Sequence, residues 1–315
     1  MSPKTVLIRG CSSGIGLALA VKLAKDKQRR FKVIATMRNV TKKEKLEAAA
    51  GPALNQTLEI KQLDVCDEKS IHNCINSIPQ RHIDILINNA GLGFIGPIEC
   101  QSIEDMKAIM ETNFFGVVRM IKEVLPDMKK RRSGHIVVIS SVLGLQGIIF
   151  NIYAASKFAI EGFCESLIIQ ALRFNIFCHL IEPGPVVTEF EMKIYEDAEK
   201  ADYSQTDHET AEIFSQIYMK NSRAIFSNLS QTPEDVAEMI ISSNYRPPFR
   251  HQTNAMYTPR MALKQADPTG ALMTNSFYKL IFRYDKLLRI SLRAIQLLRW
   301  QAHKVKQGAR LLGFR

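Results

Sequence analysis

The chain has no Cys-x2-Cys pair. Its six cysteines (Cys11, Cys66, Cys74, Cys100, Cys164 and Cys178) are scattered, which argues against a structural zinc site or a disulfide framework and suits a reducing compartment. It also lacks any run of about 18 uncharged apolar residues, so no membrane-spanning helix is expected. The start runs directly into the strand-like Thr5-Val6-Leu7-Ile8, with no basic region and long apolar stretch before it, so no secretory signal is expected. There is no internal repeat and no low-complexity segment. No cysteine follows Cys178, which excludes S-acylation of the C-terminal region. Acids are also scarce there: from Phe277 to Arg315, ten Lys/Arg stand against one acid, Asp285, and most of the net charge of +11 is concentrated in that stretch. The basic balance therefore describes a tail and not the globule. Its basic residues are not interleaved with stacking aromatics, so a nucleic-acid partner is not expected.

What is present is core material: 315 residues, 46% of them hydrophobic, enough for one large core or a core with an appendage. Short β-branched runs recur at Val6–Ile8, Phe31–Ala35, Leu58–Leu63, Ile83–Ile87, His135–Ile139 and Phe177–Ile181. Helical patterns separate them at Leu17–Lys25, Lys42–Ala50, Glu68–Ser77, Ile103–Lys129 and Tyr153–Phe174. The alternation predicts βαβ units, hence an α/β, Rossmann-type, doubly wound parallel sheet flanked by helices. Past Glu189 the pattern becomes helical and loop-rich. The organisation expected is one domain over 1–276, with a helical substrate lid at about 190–232, and a basic amphipathic tail over 277–315. A helix is expected to start at Pro233 and to end at Arg246-Pro247-Pro248.

Tyr153 and Lys157 are one helical turn apart, so their side chains share a face. Tyrosine ordinarily holds its proton to a pKa near ~10. A neighbouring ammonium favours the phenolate and is expected to lower that value, fitting Tyr153 for proton exchange with a substrate oxygen. Taken alone, the pair is better read as a surface pair, since any amphipathic helix can carry it; what else lies along the chain makes it informative. The first strand ends in Gly10-Cys11-Ser12-Ser13-Gly14-Ile15-Gly16 and then turns helical. Glycines at such a turn let backbone approach a pyrophosphate at the helix N-terminus. The second strand ends in Arg38, with no acid beside it. An acid there reads the ribose hydroxyls of NAD, whereas an arginine, helped here by Ser12, favours the phosphate of NADP(H). Asp64 and Val65 follow the third strand and are placed to hold the adenine. Asn88-Asn89-Ala90-Gly91 follows the fourth and lines a narrow polar turn. Ser140-Ser141 follows the fifth, where a hydroxyl can polarise a carbonyl. Asn113 interrupts a long helix; it is either bonded within that helix or frees a backbone carbonyl for water.

Gly10-x3-Gly14-x-Gly16, Asn88-Asn89-Ala90-Gly91, Asn113, the serine, Tyr153-x3-Lys157 and Pro183-Gly184 occur in an order that resembles the short-chain dehydrogenase/reductase family over roughly residues 4–190. The likeness implies an oxidoreductase with a tetrad of Asn113, Ser141, Tyr153 and Lys157, and no metal. It implies cofactor contacts at Gly10, Ser12, Ser13, Gly14, Ile15, Gly16, Arg38, Asp64, Val65, Asn89, Ala90, Gly91, Tyr153, Lys157, Pro183, Gly184, Val186 and Thr188. Two departures stand out. The family's usual serine-to-tyrosine interval fits Ser140, while motif register favours Ser141, one position closer. Arg9 replaces the small hydroxyl residue common before Gly10, so it must contact a phosphate or acid, or point outward.

Within the family the likeness runs to retinol- and 17β-hydroxysteroid-oxidising members. It implies NADPH-dependent, reversible reduction of all-trans-retinal, with a 17β-hydroxysteroid dehydrogenase as the alternative and a non-catalytic dinucleotide-binding protein as the second. Apolar residues expected around the substrate are Phe94, Leu143, Leu145, Ile148, Ile149, Phe150, Phe190 and Met192, besides Ser141. They suit a long lipophilic carbonyl compound, a retinoid. No histidine lies between Glu209 and Arg250 to grip a distal steroid oxygen, as one does in the steroid relative. In the tail, Phe277, Leu280, Ile281, Tyr284, Leu287, Leu288, Ile295 and Leu298 recur at helical spacing, with Lys279, Arg283, Lys286, Arg289, Arg293 and Lys304 expected opposite. That pattern suits a helix lying on an anionic membrane surface, or one docked on its own domain or a second subunit. The location implied is peripheral, on the cytoplasmic side of a membrane, with the photoreceptor outer segment implied by resemblance only. Homodimers are frequent among relatives.

Overall fold

The computed structural model describes residues 2–148, 151–242 and 248–311, with side chains omitted at 299 and 302–311. Ile149, Phe150, Arg246, Pro247 and the Lys304 side chain lie outside the described residues. Six of the expected strands form, at Lys4–Arg9 (β1), Phe31–Met37 (β2), Leu58–Gln62 (β3), Ile85–Asn88 (β4), Gly134–Ile139 (β5) and Ile176–Glu182 (β6). A seventh, Arg250–Gln252 (β7), is three polar residues with no apolar run to announce it. All pairs are parallel, in the order β3-β2-β1-β4-β5-β6-β7. The doubly wound fold is as expected.

Helices cover both faces: Gly14–Ala24 (α1), Glu44–Ala50 (α2), Glu68–Asn76 (α3), Ile103–Met110 (α4), Gly116–Arg131 (α5), Asn151–Ala171 (α6), Glu189–Lys200 (α7) and Pro233–Ser242 (α10). Alternate residues of a strand point to opposite faces, and the core divides accordingly. Leu7, Ile34, Leu86, Ile136 and Val138 pack on one face with Val117, Met120 and Ile160. Val6, Ile8, Val33 and Ile87 pack on the other with Leu19 and Leu23. Each such aliphatic side chain contributes about 2 kcal/mol on burial, and the register of the central strands follows from keeping both sets dry.

Two compact units divide the chain: residues 1–201 with 231–258, and residues 202–230 with 259–315. The second unit is helical: His208–Glu212 (α8), a π-helical stretch Ile213–Tyr218, Met219–Leu229 (α9), the bulk of Thr258–Ala266 (α11), Ala271–Tyr278 (α12), a π-helical turn Lys279–Arg283 and Asp285–Leu311 (α13). Within it α13 packs on α9, and Asn221 Nδ2 donates to the Ile281 carbonyl at 2.9 Å. The single expected stripe splits, because Leu287 and Leu288 are neighbours about 100° apart on α13. Ile281, Leu288 and Leu292 are buried, while Leu287, Ile290, Leu297 and Leu298 are exposed on a second stripe. Lys286 and Arg293 flank that second stripe at 100° per residue and do not lie opposite it. Among the described residues no helix is long and apolar enough to cross a membrane.

Candidate active site

The strand order reverses between β1 and β4, and ligands of doubly wound sheets bind in the crevice outside the carboxyl ends at such a point. Gly10 leaves β1 with φ +81°, a left-handed conformation that favours glycine. A Cβ on Gly10 would stand 2.7 Å from the Cβ of Ala90, so the β1 and β4 turns touch at backbone distance. A Cβ on Gly16 would strike the Gly10 carbonyl oxygen and stand 2.6 Å from Asn89 Nδ2, which itself donates to that carbonyl at 3.0 Å. Ser13 precedes α1 without bonding its first N–H groups through its side chain, which suits an anion at that terminus.

The cleft formed here holds about 870 Å³ of space not filled by atoms and open to solvent. Gly10, Ser12, Ser13, Gly14 and Ile15 wall one side; Asn89, Ala90, Gly91, Pro183, Gly184, Val186 and Thr188 continue it. Ile139, Ser140, Ser141, Tyr153, Lys157, Phe190 and Glu191 complete it. The sequence-predicted residues thus converge, with exceptions. Gly16 lies beneath the turn. Arg38 is exposed after β2, and Asp64 accepts from the Cys66 N–H at 2.9 Å after β3; Val65 is buried beside it. Leu143 packs with Val142, Ala154 and Tyr257, while Phe94 and Leu145 are half-buried outside the lining.

Tyr153 and Lys157 both come from the first turns of α6. Lys157 Nζ is 5.6 Å from the Tyr153 ring centroid and donates to the Ile139 carbonyl at 2.9 Å. The two serines diverge as neighbouring side chains must. Ser141 hydrogen-bonds with Tyr153, and its Oγ also accepts from the Leu143 N–H at 3.1 Å. Ser140 turns instead to the side of Glu161, where a Cβ on Gly144 would stand 2.8 Å from its Oγ and 3.0 Å from Glu161 Oε1. Asn113 sits in a π-helical turn, Glu111–Phe115, between α4 and α5; such bulges recur at functional sites. Its side chain is not spent within its own helix. Oδ1 accepts from Leu92 N–H at 2.8 Å, while Nδ2 donates to the Leu92 carbonyl at 2.8 Å and to Ser156 Oγ at 3.0 Å.

The expected acidity of the phenol is not what the structure shows. Burial pushes Tyr153 above its ordinary value, the Glu191 charge pushes the same way, and only the Ser141 hydrogen bond pulls it down. Desolvation penalises whichever form is charged, so it also depresses its neighbour: burial, then the charge of Arg9, draw Lys157 down to about 8 against the pull of Glu161. Arg9 itself neither points outward nor sits in an ion pair among the described residues. It is 1% exposed, and Nη2 donates to the Thr112 carbonyl at 2.7 Å.

Glu191 was not singled out by the sequence. It is the third residue of α7 after Thr188, the spacing of a capping box, and Thr188 Oγ1 does accept its N–H at 3.2 Å. Its carboxylate, however, accepts from the Val186 N–H at 2.8 Å and lines the cleft. Burial raises it to about 7 against that hydrogen bond.

Residues 4–199 match the short chain dehydrogenase family. The chain belongs to that family. It is 53% identical to retinol dehydrogenase 8 of Bos taurus over 297 residues, covering 93% of this chain and 95% of the relative. It is 40% identical to 17-beta-hydroxysteroid dehydrogenase type 1 of Homo sapiens over 287 residues, covering 90% and 87%. Among solved structures, a closed form of serine dehydrogenase complexed with NADP+ is similar at a TM-score of 0.63 and 30% identity, covering 79% of this chain and 93% of that one. Family membership makes the chain an oxidoreductase.

Proposed function

We propose that the chain reduces all-trans-retinal to all-trans-retinol with NADPH, in a reversible reaction. The observation that carries this reading is the hydrogen-bonded pair Ser141–Tyr153 on the wall of the glycine-turn cleft, with Lys157 buried one helical turn on. The retinoid comes from the relative named retinol dehydrogenase 8 and from the apolar wall at Phe190, whose ring centroid is 6.2 Å from that of Tyr153.

The backbone cradle fits a dinucleotide, since side chains are excluded at Gly10 and Gly16. Gly10, Ser12, Ser13, Gly14, Ile15 and Gly16 would hold the pyrophosphate, Arg38 with Ser12 the 2′-phosphate, and Asp64 with Val65 the adenine. Asn89, Ala90, Gly91, Pro183, Gly184, Val186, Thr188 and Lys157 would hold the nicotinamide half. When bound, NADPH supplies a hydride to the carbonyl carbon. The chain's own residues manage the oxygen. Ser141 orients the carbonyl, and Tyr153 gives its proton as the oxygen becomes basic. A phenol raised by burial stays protonated at neutral pH, as a proton donor must. Lys157 returns the proton, linked to solvent through water held at Asn113.

The test is NADPH consumption with all-trans-retinal, with estrone and with no substrate, repeated on Tyr153→Phe. Retinal-dependent oxidation that disappears in the variant is expected. Turnover of estrone alone would replace the retinoid with a steroid, and cofactor binding without any turnover would end the catalytic reading.

The domain over 1–276, its lid at about 190–232 and the tail over 277–315 belong to the same reading. The exposed stripe Leu287, Ile290, Leu297 and Leu298, flanked by Lys286 and Arg293, suits the cytoplasmic surface of an anionic membrane, where each Lys/Arg contributes about 1 kcal/mol. Pelleting with anionic vesicles, lost on removal of residues 277–315, checks it. Phe115, Phe158, Ile169 and Leu172 are exposed on α5 and α6 and the turns flanking them, and suit a second copy. Ile169→Glu would then halve the mass measured by light scattering.

A further inference from the structure

Arg9 occupies a position from which an apolar face would ordinarily exclude a cation. Leu7, two residues earlier on β1, packs in the core with Leu86 and Ile136, and the period of a strand aims Arg9 to the same side. Its register partners, Thr36 on β2 and Asn88 on β4, are buried as well. An unpaired cation in such a place carries a large desolvation cost. Only one of its nitrogens meets a protein acceptor: Nη2 donates to the Thr112 carbonyl, in the π-helical turn that presents Asn113. Buried Nε and Nη1 meet none among the described residues. A guanidinium that sheds its charge only far above neutral pH is therefore fixed beneath the active site.

We propose that Arg9 is a positioning residue for proton transfer at Tyr153: it ties the turn carrying Asn113 to β1 and acts through space, as a fixed cation, on Lys157. The inference rests on Tyr153 and Lys157 being the proton-transferring pair. Two like charges in one poorly solvated layer disfavour each other's charged forms. Arg9 pairs in register with Asn88 and Asn88 with Val138, and Lys157 donates to the carbonyl of the next residue, Ile139, so both cations sit at the carboxyl end of the same three strands. Arginine keeps its proton and lysine yields, the direction in which burial and the Arg9 charge both push Lys157. The groups acting on Lys157 are Arg9 from β1, the Ile139 carbonyl from β5, and Tyr153 and Glu161 from its own helix. Those acting on Arg9 are the Thr112 carbonyl and, after β3, Cys66 and Asp64. Among the described residues no carboxylate forms an ion pair with Arg9, whose Nε and Nη1 meet no partner.

Two variants of the full chain separate charge from geometry. Arg9→Met removes both the cation and the bond to Thr112, and Arg9→Gln removes the cation but keeps an amide donor for the Thr112 carbonyl. The first readout is the Lys157 titration midpoint, followed by NMR of chain labelled at lysine and identified by its loss in Lys157→Met. It needs no turnover. Both variants should raise that midpoint by about one pH unit. The second readout is the pH profile of NADPH-dependent reduction. Its limb assigned to Lys157 should follow the midpoint in both variants, with NADPH affinity within about twofold of the parent. In Arg9→Met alone, kcat should also fall about tenfold, as the turn carrying Asn113 is released. Arg9→Thr serves if the methionine variant does not fold. A Lys157 midpoint that stays put in a folded, uncharged variant overturns the inference. A midpoint that moves in a chain with no turnover keeps the coupling and overturns the enzymatic reading instead.

Discussion

Glu191→Gln isolates one charge in the proposed site. The carboxyl titrates at about 7 because burial opposes its ionisation, so above neutral pH it stands anionic in the cleft that also holds Tyr153. Ionising the phenol beside that carboxylate costs extra. The Glu191 charge pushes the phenol up, and charge pairs within one cleft shift each other by about one to two pKa units. The cleft opens to solvent, and screening reduces this to about one. Glutamine removes the charge yet keeps an oxygen to accept the Val186 N–H, so the loop is held. In the oxidation direction the phenolate acts as base. The limb of kcat/KM reporting it should therefore move down by about one pH unit, and at a fixed pH on that limb oxidation should be about tenfold faster. The alkaline limb of reduction should move down equally, since it reports loss of the same proton. Steady-state rates with retinol and NADP+, and with retinal and NADPH, from about pH 6 to 11 measure this. Both limbs unmoved, at unchanged cofactor affinity, would refute the placement of Glu191's charge on Tyr153.

The same substitution has a stability consequence of definite sign. Glu191 in the fold holds its proton to about 7 instead of 4.5. The folded state is thus penalised as pH rises between those values, by about 3 kcal/mol at most. Thermal melts should show Glu191→Gln gaining more over the parent at pH ~8 than at pH ~5. Ser141→Ala should cost about a hundredfold in kcat, whereas Ser140→Ala, whose buried hydroxyl meets no partner among the described residues, should keep activity and lose less than about 0.5 kcal/mol of stability in urea titration. Arg38→Asp should reverse the preference for NADPH over NADH by about tenfold or more in kcat/KM. Gly16→Ala should abolish cofactor binding in calorimetry, because the added carbon meets the Gly10 carbonyl.

The fold was legible because its signals are local. Six apolar runs separated by helical patterns define parallel strands, and the two-residue period sorts Leu7 from Ile8 without any knowledge of their partners. β7 gave no such signal, since its three residues Arg250, His251 and Gln252 are all polar; its pairing with β6 makes it a strand. The tail shows a subtler failure. Helical spacing was read correctly from Phe277 onward, but spacing does not say which apolar positions the fold covers: Leu288 and Leu292 are buried, while Leu287 and Leu298, about 100° round the same helix, are exposed. One inferred stripe became two.

Residue order alone determined the doubly wound sheet, the glycine turn at the end of β1, and the placing of Tyr153 and Lys157 on one helix face. These depend on neighbours a few positions away, whose geometry the backbone dictates. Tertiary structure decided which serine reaches Tyr153, that Arg9 turns inward to Thr112, and that Glu191 enters the cleft. It also reversed the expected shift of the phenol. Acidity is set by how much water is removed and by charges brought in from distant segments, and neither quantity is written in the spacing of residues along a helix.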